Sequence, residues 1–143
     1  MSEKWGKRLF IAGAIVLLLL GAVHSISFFE KPVLANATEK ELLGLMADYH
    51  FDLMGSSRSM SDLLRGFSMC FMVSVLAFGV LDLVLSRQRP GDLKRIALIN
   101  SIWLATMTAI SLKYFFLAPT CFLVFALLLF LLAWWKLPAD SPS

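Results

Sequence analysis

The chain has 143 residues, of which 59% are hydrophobic and 16% charged, and its formal net charge is +3. Soluble domains carry roughly 25% charged residues, and one of this size leaves too much of its chain wet to hide so much apolar surface. These figures, with a mean hydropathy of +0.78, exclude a single soluble domain, a disordered tail and a nucleic-acid-binding module, and they predict a small helical membrane protein.

Four apolar runs follow one another, at about residues 9–29, 66–86, 96–117 and 119–137, with a single sizeable polar segment at 30–65. Each run reaches the ~20 residues that a helix needs to cross ~30 Å of hydrocarbon. Helices are expected rather than strands, because Leu17 to Leu20 and Leu127 to Leu132 lack the alternation of a membrane barrel. The expected fold is therefore all-α, a four-transmembrane-helix antiparallel bundle forming one integral membrane domain over residues 1–143. The first run follows Lys4, Lys7 and Arg8, and Ala35-Asn36-Ala37 resembles a signal cleavage site. At 21 residues, however, the run exceeds the core of about 7–15 residues usual in cleaved signals, so an uncleaved first span is expected.

The polar segment is expected to hold a short amphipathic helix. Pro32 breaks the first helix, and Thr38 with Glu41 has capping-box spacing. Leu42, Met46, Tyr49 and Leu53 then form one apolar stripe, placing a helix from Thr38 to about Leu53 on the membrane surface or over the bundle, ended by Gly55-Ser56-Ser57. From Ser59 the chain turns into the second span, with Arg65 at the water boundary.

Charge placement sets the orientation. Eight basic residues (Lys4, Lys7, Arg8, Arg87, Arg89, Lys94, Arg95 and Lys136) fall on one side of the four spans. The 30–65 segment sets Lys31, Lys40, Arg58 and Arg65 against six acids. The positive-inside rule predicts both termini in the cytoplasm, in a bacterial inner membrane.

Small residues mark the faces expected to pack, since they let backbones approach in lipid. They are Gly13, Leu17, Gly21 and His24 on the first span, and Gly66, Cys70, Ser74 and Ala77 on the second. On the third they are Ala97, Ser101, Ala105, Ala109 and Lys113. A four-residue step drifts about 40° around a helix, so Lys113 leaves the face of Ala97. By depth, His24, Cys70, Lys113, Thr120 and Cys121 share the outer layer with Arg58, Asp62 and Arg65. The inner half shows only Asn100 and Asp82, and Asp82 is expected to pair with a basic residue of the 87–95 link. No ionisable group falls at the midplanes near Leu19, Leu76, Ala105 and Leu128, which argues against coupled transport.

The chemistry available is modest. His24 offers a proton donor, a haem or metal ligand or an anchor for a quinone-like head, against the plainer role of a histidine satisfied by a serine or carbonyl. No histidine of the second span completes a haem site. His50, Asp48, Asp52 and His24 lack the convergent spacing of a metal site, so none is expected. Cys70 and Cys121 share one depth, but without Cys-x-x-Cys they predict two buried free thiols sooner than a bridge or a redox pair. Arg58, Asp62 and Arg65 stand at offsets of four and three, which on a helix holds one carboxylate between two guanidiniums, with donors left for an anionic head group.

Gly21 to His24, then Met54, Gly55, Arg58-Ser59-x-x-Asp62 and Gly66-Phe67, resemble a group of bacterial four-helix membrane proteins similar in layout to the DoxX-like proteins. The resemblance covers roughly residues 9–85. It implies the four-span architecture, marks His24, Arg58, Asp62 and Gly66 as shared positions, and implies no reaction or cofactor.

The functional expectation is an outer-leaflet pocket of His24, Arg58, Asp62, Arg65 and Lys113 that binds a lipophilic molecule with a polar head, a quinone or lipid. The alternatives are an accessory subunit docking a larger membrane complex, or itself, through its small-residue seams, and an enzyme using His24 as acid–base on a lipid-like substrate.

Overall fold

The computed structural model describes residues 2–30 and 33–139. In chain order the elements are α1 (Ser2–Ile26), α2 (Ala37–Asp48), β1 (His50–Leu53), β2 (Ser56–Ser59), α3 (Met60–Leu85), α4 (Pro90–Tyr114) and α5 (Leu117–Lys136). The four long helices are each long and apolar enough to cross a membrane. They pack antiparallel, with the start of α1 and the end of α5 at one end of the bundle (the terminal end) and α2 with its hairpin at the other (the hairpin end).

The helices start outside the apolar runs, for local reasons. α3 begins six residues ahead of its run because Ser59 and Asp62 form a reciprocal capping box, each side chain accepting from the other's backbone N–H at 3.1 and 3.0 Å. Pro90 opens α4 at a first-turn position whose N–H would be orphaned anyway. The extended Phe115 and Phe116 separate α4 from α5.

α1 is the central helix and packs along both α3 and α5, while α5 packs along α4. Its small residues make this possible. Gly13 lies under Phe130, where an added Cβ would meet the ring at 2.7 Å, and Phe10 meets the same ring edge-on at 5.3 Å. Gly21 lies under Leu76, and Gly79 of α3 receives Leu18 in return. The remaining side of the bundle, α3 to α4, is closed by side chains in the terminal half, where Phe78 stacks on Trp103 at 4.5 Å.

The expected seams fare unequally. That of α1 is buried at Gly13, Leu17 and Gly21 and half-buried at His24. On α4, Ala97 and Ser101 are buried but Ala105, Ala109 and Lys113 are exposed. The buried face there instead runs through Ala97, Ser101, Leu104, Thr108 and Ser111, whose alternating steps of four and three stay on a 3.6-residue period where a constant four cannot. On α3 the expected seam of Gly66, Cys70, Ser74 and Ala77 is entirely exposed. Val75, Gly79 and Asp82 are buried instead. Small volume helps only where a neighbour projects into it, and α1 projects Leu18 at Gly79.

The outer segment also differs from expectation. α2 is capped by Asn36, whose side chain accepts from Glu39 N–H at 2.9 Å, rather than by Thr38. It ends at Asp48 and not near Leu53. The next residues form a hairpin in which His50 pairs with Ser59 and Leu53 with Ser56. Pro32, expected to break the first helix, lies outside the described residues.

Candidate functional site

The hairpin turns through Met54 and Gly55, both in the left-handed region at φ 52° and 85°. Asp52 Oδ1 accepts from the Gly55 N–H at 2.8 Å and holds the turn. This two-residue reversal sets Arg58 opposite Phe51 and delivers the chain into the capping box. Arg58 therefore stands on a strand immediately before α3, and helical spacing does not govern its position.

Beside it, a groove of about 430 Å³ runs along α3, lined by Arg58, Asp62, Leu63, Gly66, Phe67 and Cys70. Asp62, Gly66 and Cys70 recur at steps of four, as do Leu63 and Phe67, so two adjacent rows of one helix face form its floor and wall. Nothing lies within 4 Å of the position a Cβ would take on Gly66. Arg58 Nη1 donates to the carbonyl of Ser57 at 2.8 Å, which leaves the other guanidinium N–H groups at the groove's polar mouth. A second, apolar groove of about 470 Å³ lies under α2, lined by Leu45, Met46, Tyr49, Phe51 and Met60.

Of the five residues expected to form one pocket, the groove brings together Arg58 and Asp62. Asp62 is not clamped between guanidiniums: one carboxylate oxygen accepts from the Ser59 N–H, and among the described residues it forms an ion pair with neither Arg58 nor Arg65. Arg65 and Lys113 are exposed and outside the groove lining, and Lys113 Nζ lies 5.1 Å from the ring centroid of Tyr114. His24 is on the other side of α3, the side that faces α1. Its Nε2 is 2.8 Å from Ser68 Oγ, and its ring meets Phe71 and Phe28 edge-on at 5.2 and 5.8 Å. Cys70 and Cys121 are free and exposed rather than turned inward. His50 Nδ1 bonds the carbonyl of Asp48, and among the described residues no three His, Cys, Asp or Glu side chains converge as metal ligands do.

Asp82 and Asn100 take a place that sequence reasoning missed. Both are buried, and Asn100 Nδ2 donates to both Asp82 carboxylate oxygens at 2.8 and 2.9 Å. Asp82 thus pairs with the facing span and not with the 87–95 link, because at its level on α3 it looks toward α4. The signal was present. Each is the strongly polar residue about one turn inside its apolar run, and a short link between antiparallel helices brings such positions level. Asp82 and Asn100, the polar residues expected in this half of the bundle, are both buried, and so is Ser101.

Comparison of the chain with protein-family models, with curated proteins and with solved structures found no match. Fold and composition define it as a small multi-pass integral membrane protein built on a four-helix bundle.

Proposed function

We propose that the protein holds a lipophilic molecule with a polar head, a lipid or quinone, in the groove between the hairpin and α3. The reading includes a bacterial inner membrane with both termini cytoplasmic, which puts the groove in the outer leaflet, in keeping with the resemblance to DoxX-like proteins. One observation carries it: a guanidinium with spare donors stands at the mouth of a groove whose wall is Leu63 and Phe67 and whose floor is opened by Gly66. Arginine suits an oxygen-rich or anionic head, and the apolar wall suits the chain behind it. His24 is engaged by Ser68 and faces away from the groove, so it takes no part in binding there and supports no acid–base step on a molecule held there.

The test is native mass spectrometry after gentle extraction of the wild type, Arg58→Ala and Gly66→Leu. Gly66→Leu adds bulk to the groove at a position where a Cβ itself meets no neighbour. A lipophile retained by the wild type and lost from Gly66→Leu, with at least about tenfold weaker retention in Arg58→Ala, supports the groove (about 1.4 kcal/mol for one charged contact). Equal retention by all three chains overturns it. A second reading, docking of a partner helix, is favoured by the exposed small residues Gly66, Cys70, Ser74 and Ala77 on the same helix. A protein that co-purifies with the wild type and is lost with Ala77→Leu, while lipophile retention is unchanged, would mark that reading.

A further inference from the structure

Asp82 and Asn100 are 2% and 3% exposed. They are remote from the groove, since 20 residues of α3 separate Asp82 from Asp62, about 30 Å along the axis. One turn toward the hairpin end from each, Phe78 and Trp103 stack at an interplanar angle of 23° and close the pair off on that side. On the other side lie Ser86 and the link to α4, so the nearest water is at the terminal end.

We propose that the Asp82–Asn100 pair is a reversible proton-binding site. An ionised carboxyl inside an apolar span is costly and a protonated one far less so, and the two states ask different things of a partner. The partner is suited to both states. The Asn100 amide donates N–H to the carboxylate, and by turning over it presents its carbonyl to the O–H of the acid. A metal cation is the poorer occupant, because it needs several converging oxygens and among the described residues no three His, Cys, Asp or Glu side chains converge.

The surrounding charges leave the pair to itself. Between Gly66 and Leu85, α3 carries no other acidic or basic side chain. On α4, Asp92 pairs with Arg89 at 3.2 Å, Lys94 donates to the carbonyl of Leu137 at 2.8 Å, and Arg95 is exposed. On α1, Glu3 and Lys4 are exposed, and Arg8 lies 5.8 Å from the Trp5 ring. Lys7 is half-buried and two turns from Ala14, on the side of α1 that meets Gly79, so it is the cation in register with the approach to Asp82.

Infrared difference spectroscopy of the full chain in lipid nanodiscs tests this. The expected result is that the wild-type minus Asp82→Asn difference contains one carboxylic-acid C=O component, present at acid pH and lost reversibly as pH is raised, on top of the bands that the other nine side-chain carboxyls give in both chains. Asn100→Leu removes the donor to the carboxylate, and its acid band should persist to a proton concentration about tenfold lower. Should Asp82→Asn fail to fold, the wild-type minus Asn100→Leu difference, in which only the carboxyl bonded to Asn100 changes its response to pH, assigns the component instead. A wild-type minus Asp82→Asn difference that shows a carboxylate at every pH, an acid that never responds to pH, or no carboxyl component at all overturns the proposal.

Discussion

Thr108 sits on the buried face of α4 with its hydroxyl oxygen enclosed and without a hydrogen-bond partner among the described residues. Three residues on, Ser111 Oγ is 2.7 Å from Thr120 Oγ1, and Thr120 also donates to the carbonyl of Phe116 at 3.1 Å. Thr108 on α4 and the Ser111–Thr120 pair between α4 and α5 therefore carry opposite energetics. An unpaired buried hydroxyl has lost its solvation and gained nothing, whereas a paired one strands its partner when removed. Thr108→Val should raise stability by about 1 kcal/mol, and Thr120→Val should lower it by about the same amount. Denaturant titration in mixed micelles reads both changes. A destabilised Thr108→Val would mean that its hydroxyl has a partner after all.

At the scale of elements, the hairpin shows where pattern reading loses its hold. Leu42, Met46, Tyr49 and Leu53 fit one helical stripe, and nothing in Ser56-Ser57-Arg58-Ser59 has strand propensity. The turn is formed by Met54-Gly55 where Asn-Gly or Asp-Gly would have announced it. Capping-box spacing is legible at Thr38 and Glu41, but Ser59 and Asp62 carry the same spacing and form the box in fact. In the sequence Asp62 stands out by its charge, while in the fold its hydrogen bond to the Ser59 N–H sets its place. Methionine in the left-handed region costs roughly 1 kcal/mol that asparagine largely avoids. Met54→Asn should therefore strengthen the hairpin and slow exchange of its ladder amides about fivefold, measured by hydrogen exchange. No slowing would mean that the Met54 side chain makes compensating contacts.

For the whole molecule, length and hydropathy were enough for the four spans, because a bilayer demands about 20 apolar residues whatever the packing. They were not enough for the faces. In lipid every span is apolar all round, so periodicity carries little contrast, and only close approach, as at Gly13 and Gly21 on α1, distinguishes inside from outside. The candidate site was half legible for the same reason. Arg58 and Asp62 are neighbours in sequence and remain so in space, whereas the side of α3 on which His24 falls depends on packing.

Charge, by contrast, acts on the whole chain at once. Arg87, Arg89, Lys94 and Arg95 crowd the link between α3 and α4, at the same end of the bundle as Lys4, Lys7, Arg8 and Lys136. The hairpin end carries more acids than bases. Basic residues beside span ends resist translocation, while acids contribute little. In a background with Cys70 and Cys121 replaced by serine, single cysteines at Ser57 and Gln88, both exposed, report the two ends. A membrane-impermeant maleimide should label Ser57→Cys in spheroplasts and Gln88→Cys only after lysis. The reverse pattern would place the groove on the cytoplasmic side. Arg58 would then face anionic lipids of the inner leaflet, and the polar-head ligand would have to be sought there.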